Sequence, residues 1–161
     1  MYDQHPSPKF EASCRDLRRF FEYLDPMVSP ETAAAIAATE QAVRAMNKEF
    51  TFFSELDITD IVIAETLCEP KDLLRDDKLL GFTYRENIVY PSFQFDGRTG
   101  KRYESIPLLL SVARQYKIPH KSLAQWLCDP SGYLDGDRPV DHLPKTDRVV
   151  EAATGHYGAG W

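Results

Sequence analysis

The chain has 161 residues and a mass of 18.4 kDa, the size of one ordinary domain or of one domain with a small helical extension. Its 43% hydrophobic and 27% charged residues exclude wholesale disorder, and its net charge of -6 argues against a protein that coats nucleic acid or anionic membrane through bulk charge. Three scattered cysteines without a CxxC pair, no signal-peptide core and no apolar run near the roughly 20 residues of a membrane span lead to the expectation of a soluble, cytoplasmic protein.

Residues 1–8, polar with two prolines, read as an arm. From Phe10 to Leu24, apolar Leu17, Phe20, Phe21 and Leu24 recur at helical spacing, and Asp25-Pro26 stops that helix. Ser29, Pro30 and Glu31 then supply a cap, a first-turn proline and a dipole-matched acid for an alanine-rich helix over 31–46. These N-terminal helices, 9–48, form one segment and offer either a dimerisation element or a cover for the core of their own chain.

Segment 49–95 reads as a degenerate helix-turn-helix plus a hairpin. Thr59 or Asp57 is the expected cap of a helix holding Ile61, Val62 and Leu67. Pro70 opens a second helix with Leu73, Leu74 and Leu79, and Gly81 is placed at its end. Phe82 to Phe95 is aromatic and β-branched around an Arg85-Glu86-Asn87 turn, which predicts a small β-hairpin. Segment 96–161 then carries helices over 105–116 and 120–127, ordered turns around Leu134, Val140 and Leu143, and a last helix near 146–153. Glycines 155, 158 and 160 lower helix propensity in the tail, so His156, Tyr157 and Trp161 sit on a flexible stem that either folds back on the core or enters a partner. The fold class expected is mainly α: a helical bundle with a degenerate helix-turn-helix and one small β-hairpin.

Chemistry is sparse. His120, Cys128, His142 and His156 form no metal-ligand pattern, Ser131 and Cys128 lack a nucleophile setting, and GRTGK lacks the phosphate-loop frame. Asp129, Asp135, Asp137 and Asp141 read as turn formers. No enzyme, no metal and no cofactor are expected. Charge is uneven: segment 57–80 holds the cations Lys71, Arg75 and Lys78 against seven carboxylates. Segment 101–122 holds five cations, Arg114, Lys117 and Lys121 among them, against Glu104 alone. Those six named cations are the candidates for DNA contact, with a solvated surface as the alternative.

The block SLAQWLCDPSGYLDGDRPVDHL, residues 122–143, resembles the toxin-binding domain of the Xre/MbcA/ParS antitoxin family: Trp126-Leu127, Pro130, Leu134, Gly136 and Pro139-Val140-Asp141 match its pattern. Upstream, VYPSFQFDGRTGK at 89–101 resembles the YPxFQFD segment of actinobacterial-type members. As large apolar groups, Trp126, Leu127 and Leu134 are expected to be scaffold, with Pro130, Gly136 and Pro139 shaping turns. The resemblance implies an antitoxin that binds a RES-domain, NAD-degrading toxin and represses its own operon, as a homodimer or toxin–antitoxin hetero-oligomer. By that analogy Arg148, Glu151, His156, Tyr157 and Trp161 face the toxin. The competing expectations are a DNA-binding regulator without a toxin, and an interaction or immunity protein that keeps only the scaffold.

Overall fold

A computed structural model describes residues 29–159. The expected arm over 1–8, the helix over 10–24 and the tail contact Trp161 lie outside the described residues. Helix α1 (Pro30–Glu49) starts where the sequence places it, with the Ser29 hydroxyl accepting the Thr32 N–H at 3.2 Å. Two compact units divide within this helix, one ending at Glu40 and the other starting at Gln41. In the second unit, Val43 and Met46 of α1 enter the main core.

Strand β1 (Phe52–Phe53) precedes helix α2 (Glu55–Thr66). The cap of α2 is Ser54, three residues before the expected Asp57. Its hydroxyl accepts from the Asp57 N–H at 3.4 Å, and the Asp57 carboxylate accepts from the Ser54 N–H at 2.7 Å, a reciprocal capping box. Thr59 is already inside the helix and donates back to the Glu55 carbonyl at 2.6 Å. The helix ends on Leu67 at φ 57°, and α3 (Pro70–Arg75) follows after a tight turn.

Gly81 does not end α3, which stops at Arg75 and leaves Leu79 in the following loop. The glycine serves a close approach instead: a Cβ there would lie 2.9 Å from the Tyr90 ring. Strands β2 (Phe82–Tyr84) and β3 (Asn87–Pro91) form the predicted hairpin, with Arg85 and Glu86 both at positive φ in a two-residue turn. The pairing Phe52 with Pro91 adds β1 to the other edge of β3, a third strand too short to leave a periodicity in the sequence. A small core of Ile58, Val62, Leu73, Leu79, Tyr90 and Phe95 holds this region together.

Three helices complete the chain: α4 (Ser105–Gln115), α5 (His120–Cys128) and α6 (Thr146–Gly158). Two 3-10 turns, Gly132–Leu134 and Pro139–His142, join α5 to α6. Leu109 and Leu110 of α4, Leu123 and Leu127 of α5, and Val149 and Ala153 of α6 fill the main core, which also takes in Leu80, Phe82 and Phe93. The fold is therefore mainly helical with a small antiparallel sheet.

Helix α6 overturns the flexible-stem expectation, because it runs through Gly155 to Gly158. Burial of Val149, Ala152 and Ala153 outweighs the propensity cost of about 1 kcal/mol per glycine. The glycines also have work to do. A Cβ on Gly155 would sit 2.8 Å from the Tyr133 ring, and one on Gly158 would sit 2.8 Å from the Tyr116 hydroxyl.

Candidate functional site

The two sequence blocks that stand out are largely framework. In the first, Tyr90, Pro91, Phe93 and Phe95 are buried, and so is Gln94. The Gln94 amide closes on backbone: it accepts from Leu80 N–H at 2.9 Å and donates to the Leu80 and Pro91 carbonyls at 2.9 and 3.0 Å. Each bond satisfies a buried peptide group that would otherwise be costly. No periodicity identifies a lone buried glutamine, so this role is invisible in the sequence. In the second block Trp126, Leu127, Leu134 and Pro139 are buried, Gly136 turns at φ 91°, and Pro130 remains exposed. Ser105, at the start of α4, donates to the Leu143 carbonyl at 2.9 Å and ties this block to α4.

Around that framework α6 borders two grooves. The first, about 710 Å³, runs between α4 and α6 over Leu108, Tyr116 and Val150, with Asp147 and Glu151 along it. Leu108 is 48% exposed, a large apolar group to leave in water. Asp147 and Glu151 are exposed and make no ion pair with any described residue. Of the expected contact residues, Glu151 lines this groove. Arg148 points to Asp135, 3.1 Å away, at a turn where Asp135 takes a left-handed conformation.

The second groove, about 620 Å³, lies between α5, the Ser131–Tyr133 turn and the end of α6. His156 and Tyr157 line it, half-buried. His156 stacks on Trp126 with ring centroids 5.6 Å apart, and Tyr157 lies 5.7 Å from the same indole. These two aromatics thus pack on their own chain. Burial pushes the Tyr157 phenol up to about 12, so it stays protonated at neutral pH.

The six cations expected at DNA fall into two classes. Lys71 pairs with Glu55 at 3.1 Å, Arg75 with Asp72 at 2.9 Å and Asp76 at 3.4 Å, and Arg114 with Asp77. Lys78, Lys117 and Lys121 have no ion-pair partner among the described residues. Asp77 brings the two sequence segments together, since it also receives His120 at 3.0 Å, and His120 reaches the Gly81 carbonyl at 3.0 Å. Arg102 donates to the carbonyl of Lys78. Residues that lie far apart in sequence, Arg102, Arg114 and His120, therefore gather around Asp77 and the Lys78 backbone, and Lys121 follows His120 in the chain.

Burial raises the Cys128 thiol to about 12, well away from a thiolate nucleophile at neutral pH. Among the described residues no three His, Cys, Asp or Glu converge as metal ligands, and no helix is long and apolar enough to cross a membrane. No known family pattern matches the chain, and no curated protein matches it. Among solved structures the chain is similar to the NMR structure of Rv2175c, with a TM-score of 0.57 and 18% identity over 83% of this chain and 86% of that one. At that identity the likeness is one of fold.

Proposed function

We propose that the chain is a non-catalytic antitoxin that neutralises a RES-type, NAD-degrading toxin by direct binding through α6. The observation carrying this reading is the α4–α6 groove, where an apolar floor at Leu108 and Val150 lies beside the unpaired acids Asp147 and Glu151. A partially exposed apolar strip with uncompensated charge suits a protein partner of opposite sign. The resemblance of residues 122–143 to a toxin-binding domain supplies the class of partner, and those residues form the frame behind α6. A homodimer, through the exposed side of α1, is part of the same proposal; Ile36 there is 59% exposed.

The test is co-expression with the product of the adjacent gene, expected on this reading to be a RES-domain protein, followed by co-purification and an assay of NAD loss. The expected result is a stable complex and suppressed NAD loss. Absence of both would reject the reading.

A second reading, an operator-binding regulator, is favoured by one specific arrangement. The tight α2–α3 pair leads into a hairpin, Lys78 follows Asp77 and Lys121 follows the His120 that bonds to Asp77, and Lys78, Lys117 and Lys121 have no ion-pair partner among the described residues. The acids that consume Lys71 and Arg75 weigh against a recognition role for α3 itself. A gel shift against the upstream DNA, with a salt titration, decides it: Lys117→Glu with Lys121→Glu abolishes the shift if this surface is used.

A further inference from the structure

Asp147 and Glu151 stand one helical turn apart on α6, and both line the groove between α4 and α6. Both are exposed, and neither carboxylate has a hydrogen bond or ion pair among the described residues. No lysine or arginine lines the groove, since Arg114 of α4 is held by Asp77 and Arg148 of α6 by Asp135. The other large side chains there are apolar or aromatic: Leu108 is 48% exposed, and Tyr116 and Val150 are half-buried. Two uncompensated charges at helical spacing therefore lie beside an exposed apolar strip.

We infer that the occupant of this groove is an amphipathic helix of the partner protein, with two cations one turn apart facing Asp147 and Glu151 and apolar side chains facing Leu108 and Val150. The inference rests on the reading of α6 as a binding surface, and adds the conformation and charge pattern of what is bound. The groove runs between two helices, whose peptide groups bond along their own length. It offers no sheet edge to an extended segment, which would leave its own N–H and C=O groups unpaired against the apolar strip. A helix pairs those groups internally and meets the groove with side chains alone. Side chains four positions apart on such a helix lie about 6 Å from each other, the spacing of the two acids on α6. The acids then select cations and disfavour an acidic face. A second copy of this chain is a poorer occupant, because each copy carries a net charge of -6.

The probe is an eighteen-residue, alanine- and glutamine-based peptide with leucines at helical spacing and, beside them, two lysines four positions apart. It is titrated into the full chain at physiological salt and read from the Leu108 and Val150 methyl resonances in 1H–13C spectra. Saturable shifts of those methyls are expected. Asp147→Lys/Glu151→Lys is expected to bind the peptide roughly three- to thirtyfold more weakly, the range for two exposed ion pairs, and to prefer a peptide with glutamates in place of the lysines. Should that variant fail to fold, Glu151→Gln carries the same comparison, with a loss of roughly two- to fivefold. A central proline in the peptide breaks its helix and keeps its charge, and is expected to weaken binding roughly tenfold. Unmoved methyls at millimolar peptide, or undiminished binding by the folded variants, would overturn the inference. So would equal binding of the proline-interrupted peptide, which would assign the groove to an extended cationic segment. The antitoxin reading fails separately: suppressed NAD loss without peptide binding removes the helix and keeps the toxin, whereas peptide binding without suppressed NAD loss keeps the helix and removes the toxin.

Discussion

In the α2–α3 region most polar groups named here find partners within the chain, Lys78 and the Tyr90 hydroxyl excepted, whereas around α6 more are left open, Arg148 excepted. Lys71, Arg75 and Arg114 each meet a carboxylate, Asp57 closes a capping box, and Gln94 spends its amide on the backbone of Leu80 and Pro91. Around α6, Asp147 and Glu151 face solvent with no ion pair among the described residues, Leu108 is half-exposed, and three buried polar atoms of residues bordering the neighbouring groove have no partner among the described residues. The two regions look alike as short helices joined by tight turns. On the proposed reading, what separates framework from binding surface is whether the chemistry is already spent.

The largest expected effect tests the framework half of that comparison. Gln94→Leu strands two carbonyls and an N–H, and is expected to cost about 3 kcal/mol in urea unfolding. A loss below about 1 kcal/mol would mean the amide is not holding the loop together. Next comes Gly155→Ala. In an ordinary helix interior this change gains about 1 kcal/mol. Here the added methyl meets the Tyr133 ring, so no gain is expected, and the Tyr133 ring resonances should move. A full gain would show that the ring is not seated against α6.

The hairpin turn sharpens the comparison from the other side. Glu86 sits at φ 66°, where a side chain is strained, so Glu86→Gly is expected to raise thermal stability by about 0.5–1 kcal/mol. The smallest effect is a pH dependence. The Ser54 hydroxyl and backbone hydrogen bonds hold the Asp57 carboxyl below its ordinary range. Its folded pKa thus lies below its unfolded one: the cap contributes fully above about pH 4 and is lost as pH falls through the folded value. Stability of Asp57→Asn is expected to fall less than wild type between pH 5 and pH 2. Parallel acid profiles would remove the capping box from the account.

Much of this fold was legible because it rests on local signals. Ser29-Pro30-Glu31 marks the start of α1, the aromatic alternation marks the hairpin, and the apolar spacing marks α4 and α5. The misses have physical causes. Thr59 has a cap-forming side chain, but Ser54 lies where the chain leaves β1 and so takes the cap. Gly81, Gly155 and Gly158 are glycines because rings press on them, a tertiary demand that local propensity does not encode. Of the candidate surface, Glu151 was readable as an exposed acid on the last helix. Leu108 was not, since a leucine in an apolar run reads as core. Nor was the contact of His120 with Asp77, which joins segments 43 residues apart.

The central claim is that α6, rather than the helix pair, is the working surface. Its most direct test is an inhibition titration of the adjacent gene's product, taken as the proposed RES-domain toxin and read as NAD loss, comparing wild type with Asp147→Lys/Glu151→Lys. Both acids are exposed and have no ion pair among the described residues, so the variant should fold, losing no more than the about 0.3–1 kcal/mol that a first-turn acid such as Asp147 gives through the helix dipole. The account predicts full inhibition by wild type and at least a tenfold weaker inhibition by the variant. Equal inhibition by the two proteins would contradict it.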